Sequence, residues 1–187
     1  MKKQNTTLTP NPTLKDTRTL TITAMFVALN VTLDLLNLRI QLTPDLRITF
    51  GFLANAMVGM LFGVKIAMVA AGVSDVLGWV VNTGGFAYFP GFTITAILAG
   101  AVWGFFFYRQ SPSFLRCFLA RLTVSLVLNL GLNSLWKMIF FGKGYTIASF
   151  TFAIWKNALL LIPETLLLLL MLKIIQKIAP SILKSKA

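Results

Sequence analysis

The 187-residue chain is 57% hydrophobic and only 12% charged, and its mean hydropathy is +0.80. These values exclude a water-soluble domain with a polar exterior and predict an integral membrane protein. A net charge of +12 would suggest nucleic-acid binding in a soluble protein, but basic loops on the cytoplasmic side of a membrane explain most of it, and we predict no nucleic-acid partner. One cysteine and no histidine argue against disulfides, most zinc sites and histidine catalysis, so we predict neither a metal nor a cofactor.

Six apolar segments follow one another with short connections, and each approaches the roughly 20 residues that cross a bilayer core of about 30 Å. The predicted fold is an all-α integral membrane protein with six transmembrane helices, of which the second is short. We divide the chain into an N-terminal tail at 1–18, a six-helix membrane domain at 19–177 and a basic C-terminal tail at 178–187. The predicted spans are Thr19–Asn37, Thr49–Phe62, Lys65–Val81, Phe92–Tyr108, Phe118–Phe141 and Ile147–Lys177.

Most basic residues fall on one side of this six-span arrangement. Because positive side chains accumulate on the cytoplasmic side of membrane proteins, both termini are predicted to be cytoplasmic. The residues on this side are Lys2, Lys3, Lys15, Arg18, Lys65, Arg109, Arg116, Arg121, Lys173, Lys177, Lys184 and Lys186.

The first span has two different surfaces. Asn30, Asp34 and Asn37 form a polar stripe toward its outer end. Ala24 and Ala28, in the inner half, form a pair of small residues spaced to seat another helix, although internal packing explains many such pairs.

The third span places Asp75 on the same stripe as Ala67, Ala71 and Gly78, so its carboxylate is predicted to point into the protein rather than into lipid. An ionisable residue at membrane depth usually marks a functional site, and a carboxylate that only completes a network between helices is the alternative. The loop after this span, NTGGFAYFPG, contains Phe86, Tyr88 and Phe89, and we interpret it as a lid over a ring-shaped ligand; a loop lying on the membrane surface is the alternative.

The fifth and sixth spans carry polar stripes that are predicted to face each other. Such a combination of amides, charges and aromatic rings suits a flat, polar, heteroaromatic solute. For the tryptophans, an aromatic belt at the membrane interface is the alternative. The residues of the two stripes are Asn129, Asn133, Trp136, Lys137 and Phe140 in the fifth span and Lys156, Asn157 and Glu164 in the sixth, with Trp155 at the mouth.

Five cations are left at or near the outer side, where topology does not require them. Together they would suit a binding site for an anionic solute, and contact with lipid headgroups is the alternative. They are Arg39, Arg47, Lys137, Lys143 and Lys156.

Several strings together resemble one transporter family. They are AMFVA, RITFGFLANAMVGMLFG, the Asp75 region, YFPGFT, LNSLW, FFGKG and WKN, and they extend from about Ala24 to Pro163. The chain resembles the S-components of energy-coupling factor (ECF) vitamin transporters, most of all the folate-specific kind. The resemblance implies a substrate-binding subunit of a prokaryotic plasma membrane that captures a vitamin outside and docks on a transmembrane coupling protein with two ATPases. The absence of a GxxxxGK[ST] phosphate loop from the sequence agrees with that division of labour.

For a folate ligand, we expect the pterin edge to bind at Asp75 or on the Asn133 face, with Trp136 and Tyr88 stacking on the ring. Arg39, Arg47 or Lys156 would bind the glutamate tail. The resemblance assigns Ala24 and Ala28 to the coupling interface, with the subunit reorienting in the membrane to release its cargo.

The chain departs from the family pattern in two places. Phe152, Ala153 and Ile154 stand where an arginine often precedes the KN of the sixth helix, and Asn55 stands where proline is common. Two alternatives remain open. One is an S-component for another vitamin or metabolite, such as thiamine, pantothenate or a queuosine precursor. The other is a small membrane enzyme, which the scarcity of clustered carboxylates disfavours.

Overall fold

A computed structural model describes residues 12–36, 39–41, 47–81, 87–142 and 147–183, with side chains for all of these except 39–41, 47–49, 141, 147–149 and 179–183. Within those residues the protein is a bundle of apolar helices with one small β-hairpin. The elements are α1 (Thr17–Leu35), β1 (Arg39–Gln41), β2 (Arg47–Thr49), α2 (Gly51–Phe62), α3 (Val64–Val81), α4 (Pro90–Phe107), α5 (Phe114–Thr123), a π-helical segment (Val124–Leu132), α6 (Asn133–Phe141) and α7 (Ile147–Leu183).

Five stretches of the described chain are long and apolar enough to cross a membrane, and α2 is a shorter apolar helix. Because α5, the π-helical segment and α6 join into one rod, these stretches and α2 make six rods. The all-α, multi-span prediction is therefore confirmed, including the short second helix. The orientation of the termini stays a prediction.

The hairpin is a feature that the sequence did not predict. Arg39 pairs with Thr49 and Gln41 with Arg47 in an antiparallel register, immediately before α2 begins at Gly51. The predicted second span begins at Thr49, which is the last residue of β2. The two strands are short and contain arginines. The periodic pattern of apolar residues by which longer elements are recognised therefore cannot be seen in them.

Local signals explain where several helices begin. Pro90 occupies the first turn of α4, where its missing N–H costs nothing. The Ser113 hydroxyl accepts a hydrogen bond from the backbone N–H of Arg116 and caps α5. Between α2 and α3 the chain turns at Gly63, whose φ of 85° favours a residue without a Cβ.

Small residues allow α2, α3 and α4 to pack closely. A Cβ at Gly59 would lie 2.8 Å from the backbone nitrogen of Gly104 on α4, so α2 and α4 meet almost backbone to backbone. Gly100 faces the backbone of Ala67 on α3 in the same way. This packed layer forms one side of the bundle, and α5, the π-helical segment and α7 form the other.

Candidate functional site

A cavity of about 490 Å³ lies inside the bundle, in the half that carries the β-hairpin. It takes residues from the end of α1, the start of α2, the later part of α3, the first part of α4 and the rod that follows, so most of its wall comes from helices rather than loops. The lining residues are Asn30, Asp34, Gly51, Phe52, Asn55, Ala71, Ser74, Asp75, Phe92, Thr95, Ala96, Ala99, Trp103, Arg121, Val124, Leu128, Asn129 and Asn133.

Asp75 lies in the cavity wall and is linked to the segment before α4. The Thr93 hydroxyl donates a hydrogen bond to Asp75 Oδ2 over 2.7 Å. Since that hydroxyl has only one proton, the Tyr88 hydroxyl, also 2.7 Å away, donates to Thr93. The Tyr88 ring in turn meets Trp79 edge to face at 5.2 Å. The predicted site residues Asp75 and Tyr88 are thus joined through Thr93, which was not among the predicted site residues.

An aromatic cluster covers the cavity wall at the start of α4. Trp136 Nε1 donates to Thr95 Oγ1 over 3.0 Å, which joins α6 to α4 beside the cavity. The Phe89 ring packs against Trp136, Phe92 and Phe140, with centroids 5.6 to 5.8 Å apart. Trp136 and Phe89 were both predicted site residues, and the structure brings them together. The segment from Asn82 to Phe86 of the predicted lid lies outside the described residues.

Amides connect the π-helical segment to α7. Ser125 Oγ and Asn129 Nδ2 both donate to Asn157 Oδ1, over 3.0 and 3.2 Å. The other end of the Asn157 amide donates to the backbone of Ala153. Asn133 Nδ2 lies 3.5 Å from Asn129 Oδ1 and extends this network toward the cavity. The predicted facing of the polar stripes in the fifth and sixth spans is confirmed, with Asn129 and Asn133 in the wall and Asn157 behind it.

A buried ion pair holds one residue of the cavity wall, Arg121. Arg121 on α5 pairs with Glu164 on α7, and both side chains are at least nine-tenths buried. The guanidinium also lies over the Phe52 ring, 4.8 Å from its centroid, and Trp103 lines the same region.

The sequence counted Arg121 among the cytoplasmic cations beside the fifth span and did not predict its buried ion pair. The helix begins at Phe114, not at Phe118 as predicted, so Arg121 lies two turns inside the span. Its distance from the helix start was the signal that could have revealed this, because an arginine inside an apolar helix requires a partner. Glu164 was predicted as a ligand contact, and it pairs with an arginine of the wall instead of lining the cavity itself.

Sequence reasoning also missed contributions from α1 and α2. Asn30 Nδ2 donates to Asn55 Oδ1 over 3.3 Å, and both residues line the cavity. In the sequence, Asn30 stands out only as part of a polar stripe, and Asn55 only as a departure from the family pattern. A polar residue within an α2 that is otherwise almost entirely apolar was the available signal.

Of the five predicted cations, Lys137 and Lys156 have side chains that the structure describes. Lys137 and Lys156 are half-buried and are not part of the wall. The side chains of Arg39 and Arg47 lie outside the described part of the structure, as does Lys143. Ala24 and Ala28 are both exposed on α1, away from the cavity. Among the described residues, no group of three or more His, Cys, Asp and Glu side chains could hold a metal ion.

A helix bundle that crosses the membrane and encloses a polar, aromatic-lined cavity defines a membrane protein that binds a small solute. The chain belongs to the family described as ECF transporter, substrate-specific component, whose model matches residues 18–181. The resemblance seen in the sequence is therefore confirmed, and the protein is a multi-pass membrane component of a transporter.

Relatives of this chain include named folate transporters. It is 40% identical over 122 residues to a folate transporter FolT of Clostridium novyi (strain NT), covering 64% of this chain and 70% of that protein. It is 31% identical over 149 residues to a folate transporter FolT of Leuconostoc mesenteroides subsp. mesenteroides, covering 79% and 78%. A crystal structure of FolT bound with folic acid matches with a TM-score of 0.72 at 28% identity, over 81% of this chain and 90% of that one.

Proposed function

We propose that this protein is the folate-binding subunit of an ECF-type ABC transporter in a bacterial plasma membrane. The observation that carries the proposal is the cavity, which combines aromatic rings, amides and a carboxylate within an S-component. A pterin presents a flat ring and an edge of hydrogen-bonding groups, and these need that combination of partners. The names of the two FolT relatives and the folic acid in the matching structure support the same ligand.

The ligand would lie with its ring among the residues described above. Asp75 or the Asn133 face would bind the pterin edge, and Trp136, Tyr88 and Phe89 would stack on the ring or cover it. That Asp75 and Asn133 line one cavity supports this arrangement. Asn157 and Glu164 would act indirectly, by holding wall residues in place.

The glutamate tail would bind to cations at the hairpin end. Arg39 and Arg47 stand on the two paired strands, within a few residues of where α2 begins to line the cavity. Lys137 belongs to α6 and Lys156 to α7, the two helices that follow the π-helical segment. Carboxylates bind guanidinium and ammonium groups through charge-assisted hydrogen bonds, and the tail would therefore remain near the mouth.

Binding of folic acid to the purified subunit tests the proposal directly. We expect a saturable, sodium-independent heat of binding in detergent, and loss of at least tenfold in affinity for Asp75→Ala or Arg47→Ala, since each change removes a charged hydrogen-bond partner. Thiamine, pantothenate and a queuosine precursor are tested in the same way. If one of them binds at concentrations where folic acid does not, the protein belongs to a different substrate.

The energy for uptake would come from an ECF module consisting of a coupling protein and two ATPases. We infer that the subunit itself catalyses no reaction, that both termini are cytoplasmic, and that the exposed Ala24 and Ala28 contact the module. Small side chains at this spacing allow a second helix to approach closely.

A bulky residue on the face of α1 that carries Ala24 and Ala28 distinguishes docking on the module from binding of folate. Ala28→Trp is expected to abolish folate uptake in cells that express the module while leaving the affinity of the purified subunit unchanged. Leu170→Trp, at an exposed site on α7, is the matched control and should transport normally. Equal uptake by the two variants would contradict the proposed interface.

A further inference from the structure

Several buried polar side-chain atoms of this structure have no hydrogen-bond partner. Among the side chains that the structure describes, four such atoms are found: Thr23 Oγ1, Ser74 Oγ, Arg121 Nε and Asn133 Oδ1. The last three belong to residues that line the cavity, whereas Thr23 does not. Since proteins rarely leave buried polar groups unpaired, the concentration of three of them around one cavity points to a ligand.

The rest of each side chain is already engaged, so the unpaired atoms define a specific pattern. The Nη2 atom of Arg121 is held by Glu164, which leaves its Nε–H as a donor. The Nδ2 atom of Asn133 faces Asn129, which leaves its Oδ1 as an acceptor. Ser74 offers a hydroxyl that can donate or accept.

The charge balance restricts what the donor can bind. Glu164 already compensates the guanidinium of Arg121, so a carboxylate beside Arg121 would bring a second buried anion to a single cation. An uncharged acceptor, such as a ring carbonyl, satisfies the Nε–H without that penalty. The acceptor of Asn133 calls for a neutral N–H donor, such as an exocyclic amino group.

We propose that Arg121 and Asn133 are the specificity-determining residues of this site: Arg121 Nε donates to the ring carbonyl of the heterocycle, and Asn133 Oδ1 accepts from its exocyclic amino group. Glu164 and Asn129 are positioning residues that fix which atoms face the ligand. The inference rests on the proposed function, because it assigns the two edge groups of a pterin to named atoms.

Folate analogues that lack either the exocyclic amino group or the ring carbonyl test the assignment of these groups to Asn133 and Arg121. Affinities of wild type and Asn133→Leu are measured for folic acid and for its 2-desamino analogue. Wild type is expected to prefer folic acid by about 10- to 100-fold, and Asn133→Leu to lose that preference because its acceptor is gone. Wild type and Asn133→Leu with the same preference would overturn the assignment of Asn133.

Arg121→Lys provides the second arm and remains informative if Asn133→Leu fails to fold. A lysine keeps a cation beside Glu164 but has a carbon atom where arginine has Nε, so it cannot donate to the ligand from that position. This variant should lose the wild-type preference for folic acid over an analogue with hydrogen in place of the ring carbonyl, while its response to the 2-desamino analogue stays as in wild type. Retention of the carbonyl preference would overturn the role of Arg121.

Thr23→Val is the matched control, because it removes a buried, unpaired hydroxyl that lies outside the cavity. Its affinities for all three compounds should equal those of wild type. Wild-type protein that binds none of the three compounds would overturn the folate assignment itself, and with it this pairing. Binding of all three with equal affinity would leave folate as a ligand and overturn only the two specificity assignments.

Discussion

Arg121 and Glu164, which are 43 residues apart in the chain, form a buried ion pair that joins α5 to α7 beside the cavity. Removing one member of a buried pair leaves an uncompensated charge, which costs about 3–5 kcal/mol. Glu164→Leu should therefore lower the thermal unfolding midpoint of the detergent-purified protein markedly.

The double variant Arg121→Met/Glu164→Leu separates stability from binding. It replaces both charges by apolar groups and should recover most of the lost stability. Folate affinity should stay low in the double variant, because the wall has lost its donor. A double variant that unfolds as early as Glu164→Leu would show that the pair stabilises the bundle in its own right.

The sequence allowed prediction of those site residues that follow helical periodicity. Asp75 shares a face with small residues, and Asn129 and Asn133 are four residues apart, so the direction of each stripe follows from helix geometry alone. Arg121 could not be placed, because its role depends on a partner in another helix and on where α5 begins. The topology rule counts arginines near span ends and does not distinguish one that lies two turns inside.

The link between Asp75 and Tyr88 likewise depends on tertiary structure. Thr93 accepts a hydrogen bond from Tyr88 and donates one to Asp75, and no local sequence pattern predicts such a chain. The hairpin and the π-helical segment were missed for a related reason, since both depart from the regular periods by which helices and strands are recognised in a sequence. The number of rods and their places in the sequence were predictable, because each is a long apolar stretch or, for α2, a shorter one.

Thr93→Val tests whether the hydrogen-bond chain orients the carboxylate. The change keeps the side-chain shape but removes both hydrogen bonds, and we expect about a tenfold loss of folate affinity in titration calorimetry. Thr123→Val is the matched control, because the Thr123 hydroxyl bonds only to the backbone of Leu119 in its own helix. Thr93→Val with wild-type affinity would mean that Asp75 needs no orientation by Thr93.

Gly59 tests the close approach of α2 and α4. An added Cβ would lie 2.8 Å from the backbone nitrogen of Gly104 and 2.9 Å from the carbonyl carbon of Trp103, neither of which can move without shifting α4. Gly59→Ala should destabilise the protein by about 1–3 kcal/mol, seen as a lower unfolding midpoint. At Gly78 the nearest atom to a new Cβ is Asp34 Oδ2, 3.8 Å away, so Gly78→Ala should leave the midpoint within about a degree or two of wild type. Equal effects at the two positions would argue against a tight contact between α2 and α4.

The π-helical segment, Val124–Leu132, determines how the two halves of the fifth rod face the cavity. A π-helix contains more residues per turn than an α-helix, and such segments are frequent at functional sites. Deleting Gly131 would remove one residue from the wide turns between Arg121 and Asn133 and so change the angle about the helix axis at which Asn133 and Trp136 stand relative to Arg121. We expect the deletion to lower folate affinity by at least tenfold, because the amide and the indole leave the wall.

Gly131→Ala is the control: its new Cβ would meet only Leu126 O at 3.5 Å, so the side chain fits without changing the register. A deletion variant that elutes as a single species in gel filtration and binds folic acid like wild type would show that the register of this segment is irrelevant to the site.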